Sequence, residues 1–307
     1  MVSMAYASGL LNRETFQESP WPGRAPFALV LTHDVDRVRK TYQYVSHLRT
    51  PRGWRQLGSL FAGGRPYWNF DRILRLEQSF GVKSSFYFLQ ESRHFRYSSP
   101  REWAVSLGKY RFDDEQVASV IQTLDQRGWE VGLHGSFESF RNEELLRKEK
   151  RDLEDVLGRE VEGIRQHYLN LIIPKTWQHQ ANVGFRYDSS LGFRDRVGYG
   201  GLPKFPLSPF RDTFLVLPLT VMDGALFQSE RTEEKACDVL RGVLKDAIAS
   251  HALVVVLWHQ RFLNPREFPV EYNTYRFLLE FATQHRAWIA TAAEATKWWR
   301  NQGLDIG

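Results

Sequence analysis

Leu29-Val30-Leu31-Thr32-His33-Asp34-Val35-Asp36 is an apolar run that stops at one histidine and two carboxylates. Phe27–Thr32 reads as a buried strand and His33-Asp34-Val35-Asp36 as its C-terminal tip. Burying one unpaired carboxylate is costly, and burying two close together costs more. A metal ion, a partner cation or a shared proton would compensate. Strand tips in α/β folds are also where active sites collect. Taken alone, the segment reads equally well as a cap for a following helical turn at Arg37-Val38-Arg39-Lys40.

Working outward, short apolar strands are read at Lys83–Leu89, Trp129–His134, Gly163–His167, Phe185–Asp188, Thr213–Leu217, Leu253–Trp258 and Trp288–Ala290. Helices are read between them at Phe70–Phe80, Asp113–Arg127, Asn142–Leu157, Pro174–Val183, Thr232–Ser250, Tyr272–His285 and Ala292–Arg300. Gly81, Gly128, Gly158 and Gly184 supply stops. The strands are apolar without alternation, as buried parallel strands are. The expected fold is a single α/β domain, a distorted (β/α) barrel of about seven strands over residues 27–307. An irregular arm over residues 1–26, broken by Pro20, Pro22, Gly23 and Pro26, precedes it. An open doubly wound sheet is the alternative, because periodicity does not separate the two.

Five strand ends carry ionisable groups. They are Asp34 and Asp36; His134 with Glu138; Arg165, His167 and Tyr168; Asp188 with Ser189 and Ser190; and His259. Five such tips in register would gather at one mouth of a barrel. Asp and His without Cys suit zinc or another divalent metal. His134 and Glu138 would share a face if Gly135–Ser139 were a helical turn. A metal would acidify a bound water, a nearby carboxylate would take its proton, and a histidine would protonate the leaving group. His259, after a very apolar strand, is placed for that last task. Asp188 is read as the carboxylate that tunes it, and Arg165 as the cation holding a neighbouring carboxylate ionised. Asp223 lines the mouth or is a turn residue.

Composition bounds the rest. The chain has 307 residues, 42% hydrophobic and 25% charged, which fits a packed globular protein and excludes a disordered one. One cysteine, Cys237, excludes a disulfide framework. No secretory signal is visible at the N-terminus, and the longest apolar run, Ala252–Trp258, is too short to span a membrane, so cytoplasmic residence is expected. Net charge is +5, with Arg37, Arg39, Lys40, Arg49, Arg52 and Arg55 clustered. The cluster reads as a solvated face rather than a nucleic-acid site; an anionic glycan or peripheral contact with a membrane surface are the other readings. Aromatic content is 14%, with ten Trp, most of them expected in the core and some suited to stacking on sugars. Nothing in the sequence specifies an oligomeric state.

At these tips the chain resembles the polysaccharide deacetylase (NodB-homology) family of metal-dependent amide and ester hydrolases, over about residues 27–292. Asp34-Val35-Asp36 resembles the branch with Asp-x-Asp spacing, which includes peptidoglycan deacetylases and allantoinase-like amidohydrolases. The resemblance implies Asp34 as catalytic base and Asp36 as metal ligand. The family's His-x-x-x-His motif is matched at His134 and departed from at Glu138, a carboxylate that can ligate zinc. His167 and His33 are the other candidates for third ligand. Arg165 matches the arginine that pairs with the base. Tyr168 with His167 matches the oxyanion-binding neighbourhood, Asp188 the residue tuning the acid, and His259 in Leu257-Trp258-His259 the general acid. The implied reaction is removal of an N-acetyl group from an amino sugar of a glycan or glycan precursor. The rivals are an amidohydrolase acting on a small C–N substrate and a non-catalytic glycan-binding barrel.

Overall fold

The computed structural model describes residues 16–41, 65–92, 109–210 and 214–302. Arg49, Arg52 and Arg55, the Gly63-Gly64 loop, Thr213, residues 1–15 of the expected arm and most of residues 90–112 lie outside the described residues.

The domain is a single α/β unit whose parallel sheet is curled into a distorted barrel, with eight α-helices among the described residues. β1 (Ala28–Val35) is completely buried and continues through His33 and Asp34. The chain then runs α1 (Phe70–Ser79), β2 (Ser85–Leu89), α2 (Glu115–Gln126), β3 (Glu130–Gly135), α3 (Glu143–Leu157), β4 (Gly163–Gln166), α4 (Lys175–Val183) and β5 (Tyr187–Asp188). β6 (Leu215–Val216), β7 (Val221–Met222), α5 (Asp223–Ser229), α6 (Glu233–Ser250), β8 (Leu253–Leu257), α7 (Pro269–Gln284), β9 (Trp288–Ala290) and α8 (Ala292–Asn301) follow. The expected helices are all present. β7 and α5 were not expected, because a two-residue strand carries no periodic signal.

Sheet order is β6-β5-β4-β3-β2-β1-β8-β7. β9 pairs with the first half of β1, below β2. The segment from Leu215 to Met222 draws the two edges together. Its first half donates Leu215 N–H to Arg186 O and Leu217 N–H to Asp188 O, and its second half donates Thr220 N–H to Val255 O. Pro218 sits at the switch and needs no donor.

Residues alternate between the two faces of the curled sheet. Leu29, Leu31 and Val35 of β1 pack outward with the helices, whereas Ala28 and Val30 join an inner cluster with Tyr87, Tyr187, Val255 and Leu257. Gly132 and Gly163 face those tyrosines closely, and a Cβ at either would collide with the Tyr87 or Tyr187 ring. The far end of the barrel is closed by aromatics: Trp21 lies 5.3 Å from Trp299, and Phe205 5.6 Å from it. Part of the tryptophan surplus is this plug. No described helix is long and apolar enough to cross a membrane.

The outward face of β1 carries a second polar centre. Glu77 of α1, with no exposed surface, accepts bonds from Trp129 Nε1 (2.6 Å), Tyr275 OH (2.7 Å) and Ser84 Oγ (2.8 Å), with His33 Nε2 at 2.9 Å. His33 Nδ1 donates to Trp258 O (2.6 Å). His33 therefore ties β1 to α1 and α7 and faces away from the barrel mouth.

Candidate active site

Asp34 ends the inward row of β1 and Asp36 follows it. Arg165, the inward residue of β4, is fully buried and donates to Asp34 Oδ1 (2.9 Å), Thr32 Oγ1 (2.7 Å), Ser189 O (2.8 Å) and Ser189 Oγ (2.8 Å). Its guanidinium carbon lies 4.7 Å from the centre of the Tyr87 ring. Tyr87 bonds Tyr187 OH (3.0 Å), and Tyr187 donates to Glu130 at the base of β3, so a polar column braces Arg165 from below. Asp34 Oδ2 is left facing His134 Nε2 at 3.6 Å.

Asp36, His134 and His167 each present one ligand atom, and the three atoms lie within 4.8 Å of one another. His134 Nε2 stands 3.4 Å and His167 Nε2 3.9 Å from Asp36 Oδ1. That oxygen is buried and has no hydrogen-bond partner. His134 Nδ1 donates to Arg165 O (2.9 Å), which leaves the Nε2 lone pair on the Asp36 side. Burial pushes the His134 pKa down, but the Asp34 and Asp36 carboxylates outweigh it and raise the pKa above the usual histidine value. Burial would likewise raise Asp36, yet His259, His134, Arg261 and His167 hold its carboxyl well below the usual range. Burial lowers the pKa of His167 and favours the neutral ring that a metal ligand must be. A field that draws a proton onto His134 also draws a cation, and the unpartnered Asp36 oxygen marks where it would sit. The Asp-His-His set fits a divalent metal.

The other oxygen of Asp36 is engaged differently. Arg261 donates to Oδ2 at 2.9 Å, and His259 Nε2 stands 3.4 Å from it. Asp223, fully buried at the start of α5, takes His259 Nδ1 at 2.8 Å and the His259 backbone N–H at 2.5 Å.

Six expected residues thus converge: Asp34, Asp36, His134, Arg165, His167 and His259. Three do not. Glu138 is carried past His134 by a non-helical turn and pairs with Arg141, so His167 instead of Glu138 stands beside Asp36 and His134. Asp188 faces outward to α4. It accepts from Gln180 Nε2 (2.9 Å), Trp177 Nε1 (3.2 Å), Ser190 N–H (2.9 Å) and Ser190 Oγ (2.5 Å). The carboxylate on His259 is Asp223; Asp188 orders Ser190, whose Oγ accepts the Gln166 N–H at 2.8 Å. His33 is the third, held behind β1. Tyr168 lies at the rim, 40% exposed, with its ring 4.5 Å from that of His167. Tyr168 (φ 58°) and Leu169 (φ 53°) are both left-handed, a costly conformation for side-chain-bearing residues that recurs at functional sites. Arg261 and Glu91 were missed. The tip of β2, Gln90-Glu91-Ser92, offered the same signal as the other five.

Solved structures share this architecture. A candidate polysaccharide deacetylase from Mycobacterium smegmatis superposes with TM-score 0.63 at 20% identity, covering 95% of this chain and 96% of that one. Another from Pseudomonas aeruginosa PAO1 gives 0.64 at 17%, covering 95% and 99%. The fold is that of the polysaccharide deacetylases. The Puue allantoinase has it too, with TM-score 0.65 at 16% identity and coverage of 95% and 96%. No protein-family model and no curated protein sequence matches the chain. Identities of this size establish the polysaccharide deacetylase fold and leave the chemistry to the residues at its mouth.

The turn after His134 is held by a buried carboxylate on α3. Glu149 Oε2 accepts the Ser136 N–H at 3.1 Å, and its Oε1 has no partner. Burial, with Glu91 adding to it, pushes its pKa up to about 7 from the usual 4.5. The folded chain therefore keeps a proton that the unfolded chain releases, and stability falls as pH rises from 4.5 towards 7. The accumulated loss is about 3 kcal/mol. Glu149→Gln cannot ionise and keeps an acceptor for Ser136. In urea titrations it is expected to match the parent at pH 4 and to exceed it at pH 8; equal stability at pH 8 would refute the shift.

Proposed function

We propose that the chain is a divalent-metal-dependent hydrolase that removes N-acetyl groups from an amino sugar of a polysaccharide or glycan precursor, with zinc as its metal. The observation that carries this reading is the divided use of Asp36. One oxygen faces two histidines without a hydrogen-bond partner, and the other faces Arg261 and His259. Asp36, His134 and His167 would hold the ion, which when bound polarises an amide carbonyl and acidifies a water.

The chain's own groups supply the proton transfers. Asp34 receives the proton of the attacking water through Oδ2, while Arg165 fixes Oδ1. His259 delivers a proton from Nε2 to the departing amine, and Asp223 fixes its ring by holding Nδ1. The backbone N–H at Tyr168, in its left-handed turn, is assigned to the developing oxyanion. The products are acetate and a free amino sugar. A glycan-binding barrel would need neither proton-transfer pair. A small C–N substrate remains the second reading, since the Puue allantoinase shares the fold and the same proton transfers would serve an amide of that size.

Metal analysis of the purified protein tests the donor set. His167→Ala and His134→Ala are expected to lose the ion, and Glu138→Ala to keep it. Acetate release is then assayed on a panel of N-acetylated sugars, with ureides alongside. Loss of metal in Glu138→Ala would overturn the donor set. Absence of bound metal together with no acetate or ureide hydrolysis would overturn the enzyme reading.

A further inference from the structure

His134 and His167 both turn Nε2 towards Asp36 Oδ1. Each can offer a lone pair there only while its ring proton resides on Nδ1. For His134 the group that enforces this is the Arg165 carbonyl. His167 Nδ1 is buried and makes no hydrogen bond, and the Glu91 carboxylate stands 3.6 Å away through Oε2.

Glu91 continues the inward row of β2, and its side chain is 2% exposed. The same Oε2 accepts the backbone N–H of Phe137 at 3.1 Å, in the turn that follows His134. One carboxylate oxygen therefore addresses the tip of β3 and the tip of β4, the two tips that carry the histidines. A histidine that ligates a metal almost always donates its second ring N–H to a carboxylate, a carbonyl or water, and a carboxylate in that role also makes the ring a stronger donor to the ion.

We propose that Glu91 is the positioning residue of the donor set: it holds His167 in the Nδ1–H tautomer and fixes the β4 tip against the β3 tip. The inference rests on the metal-dependent reading above. A purely structural Glu91, serving only the Phe137 N–H, would not control the His167 ring.

Two measurements on the full chain separate these. In the metal-free protein at pH 8, long-range nitrogen–proton spectra of the ¹⁵N-labelled imidazoles are expected to show His167 protonated on Nδ1. In Glu91→Leu the population moves towards Nε2–H. Cobalt(II) titrated into the same proteins is expected to bind Glu91→Leu roughly 10- to 100-fold more weakly than the parent. Glu91→Gln, which retains an acceptor oxygen for both partners, recovers part of that loss. A parent His167 carrying its proton on Nε2, or unchanged cobalt affinity in Glu91→Leu, overturns the assignment. Should Glu91→Leu not fold, Glu91→Gln decides: affinity equal to the parent overturns it. A parent that shows the expected tautomer but takes up no cobalt refutes the metal reading instead.

Discussion

Asp34→Asn is expected to lower turnover by roughly 10³-fold, within the range that positioned general bases supply. The substitution is nearly isosteric. Asn can still accept the Arg165 bond that now reaches Oδ1 at 2.9 Å, so the buried arginine keeps a partner. What is lost is the anionic Oδ2, 3.6 Å from His134 Nε2, and with it the proton acceptor beside the donor set. Metal content should be unchanged, since Asp36, His134 and His167 are intact. Rate assays and metal analysis on the same preparation check both halves. A loss below 10-fold with full metal content would remove Asp34 from the role of base.

Arg165→Met is expected to destabilise the fold by about 3–5 kcal/mol, the usual cost of stranding a buried charge by removing its partner. The guanidinium serves Asp34, Thr32 and Ser189, and none of its surface is exposed. Methionine fills much of the volume and supplies no donors. Arg165→Lys should recover little, because a single ammonium cannot reproduce the fork that reaches β1 and the Ser189 loop together. Urea unfolding at pH 7 measures the change. A difference below about 1 kcal/mol would mean that water replaces the arginine freely, contrary to its burial.

The alternation of strands and helices made a parallel α/β sheet legible, and the ionisable tips pointed to a barrel mouth. The individual assignments failed where the two-residue period of a strand was not applied. Counted from Ala28, the inward row of β1 is Val30, Thr32 and Asp34, with Asp36 beyond it, and His33 falls on the helix side. Counted from Tyr187, Asp188 falls outside for the same reason. Apolar residues on both faces hid this parity, since a strand buried on both sides shows no contrast between them. Glu138 failed because His134 still belongs to β3 and the 3-10 turn begins only at Ser139, so four residues of separation did not place it over His134. Asp223 was the hardest to assign. It follows a strand of two residues, just past the point where the inner and outer rows exchange at Pro218–Thr220, and sequence order favoured Asp188.

The order of the strands has a consequence for how the protein is made on the ribosome. The candidate metal donors lie between Asp36 and His167, at the tips of β1, β3 and β4, whereas Asp223, His259 and Arg261 are encoded in the last third of the chain. They meet through the β1–β8 ladder, which aligns Ala28–Thr32 with Leu253–Leu257. A nascent chain could therefore bring Asp36, His134 and His167 together before His259, the proposed proton donor, is synthesised. The reactive constellation becomes complete only when β8 docks beside the first strand to have emerged.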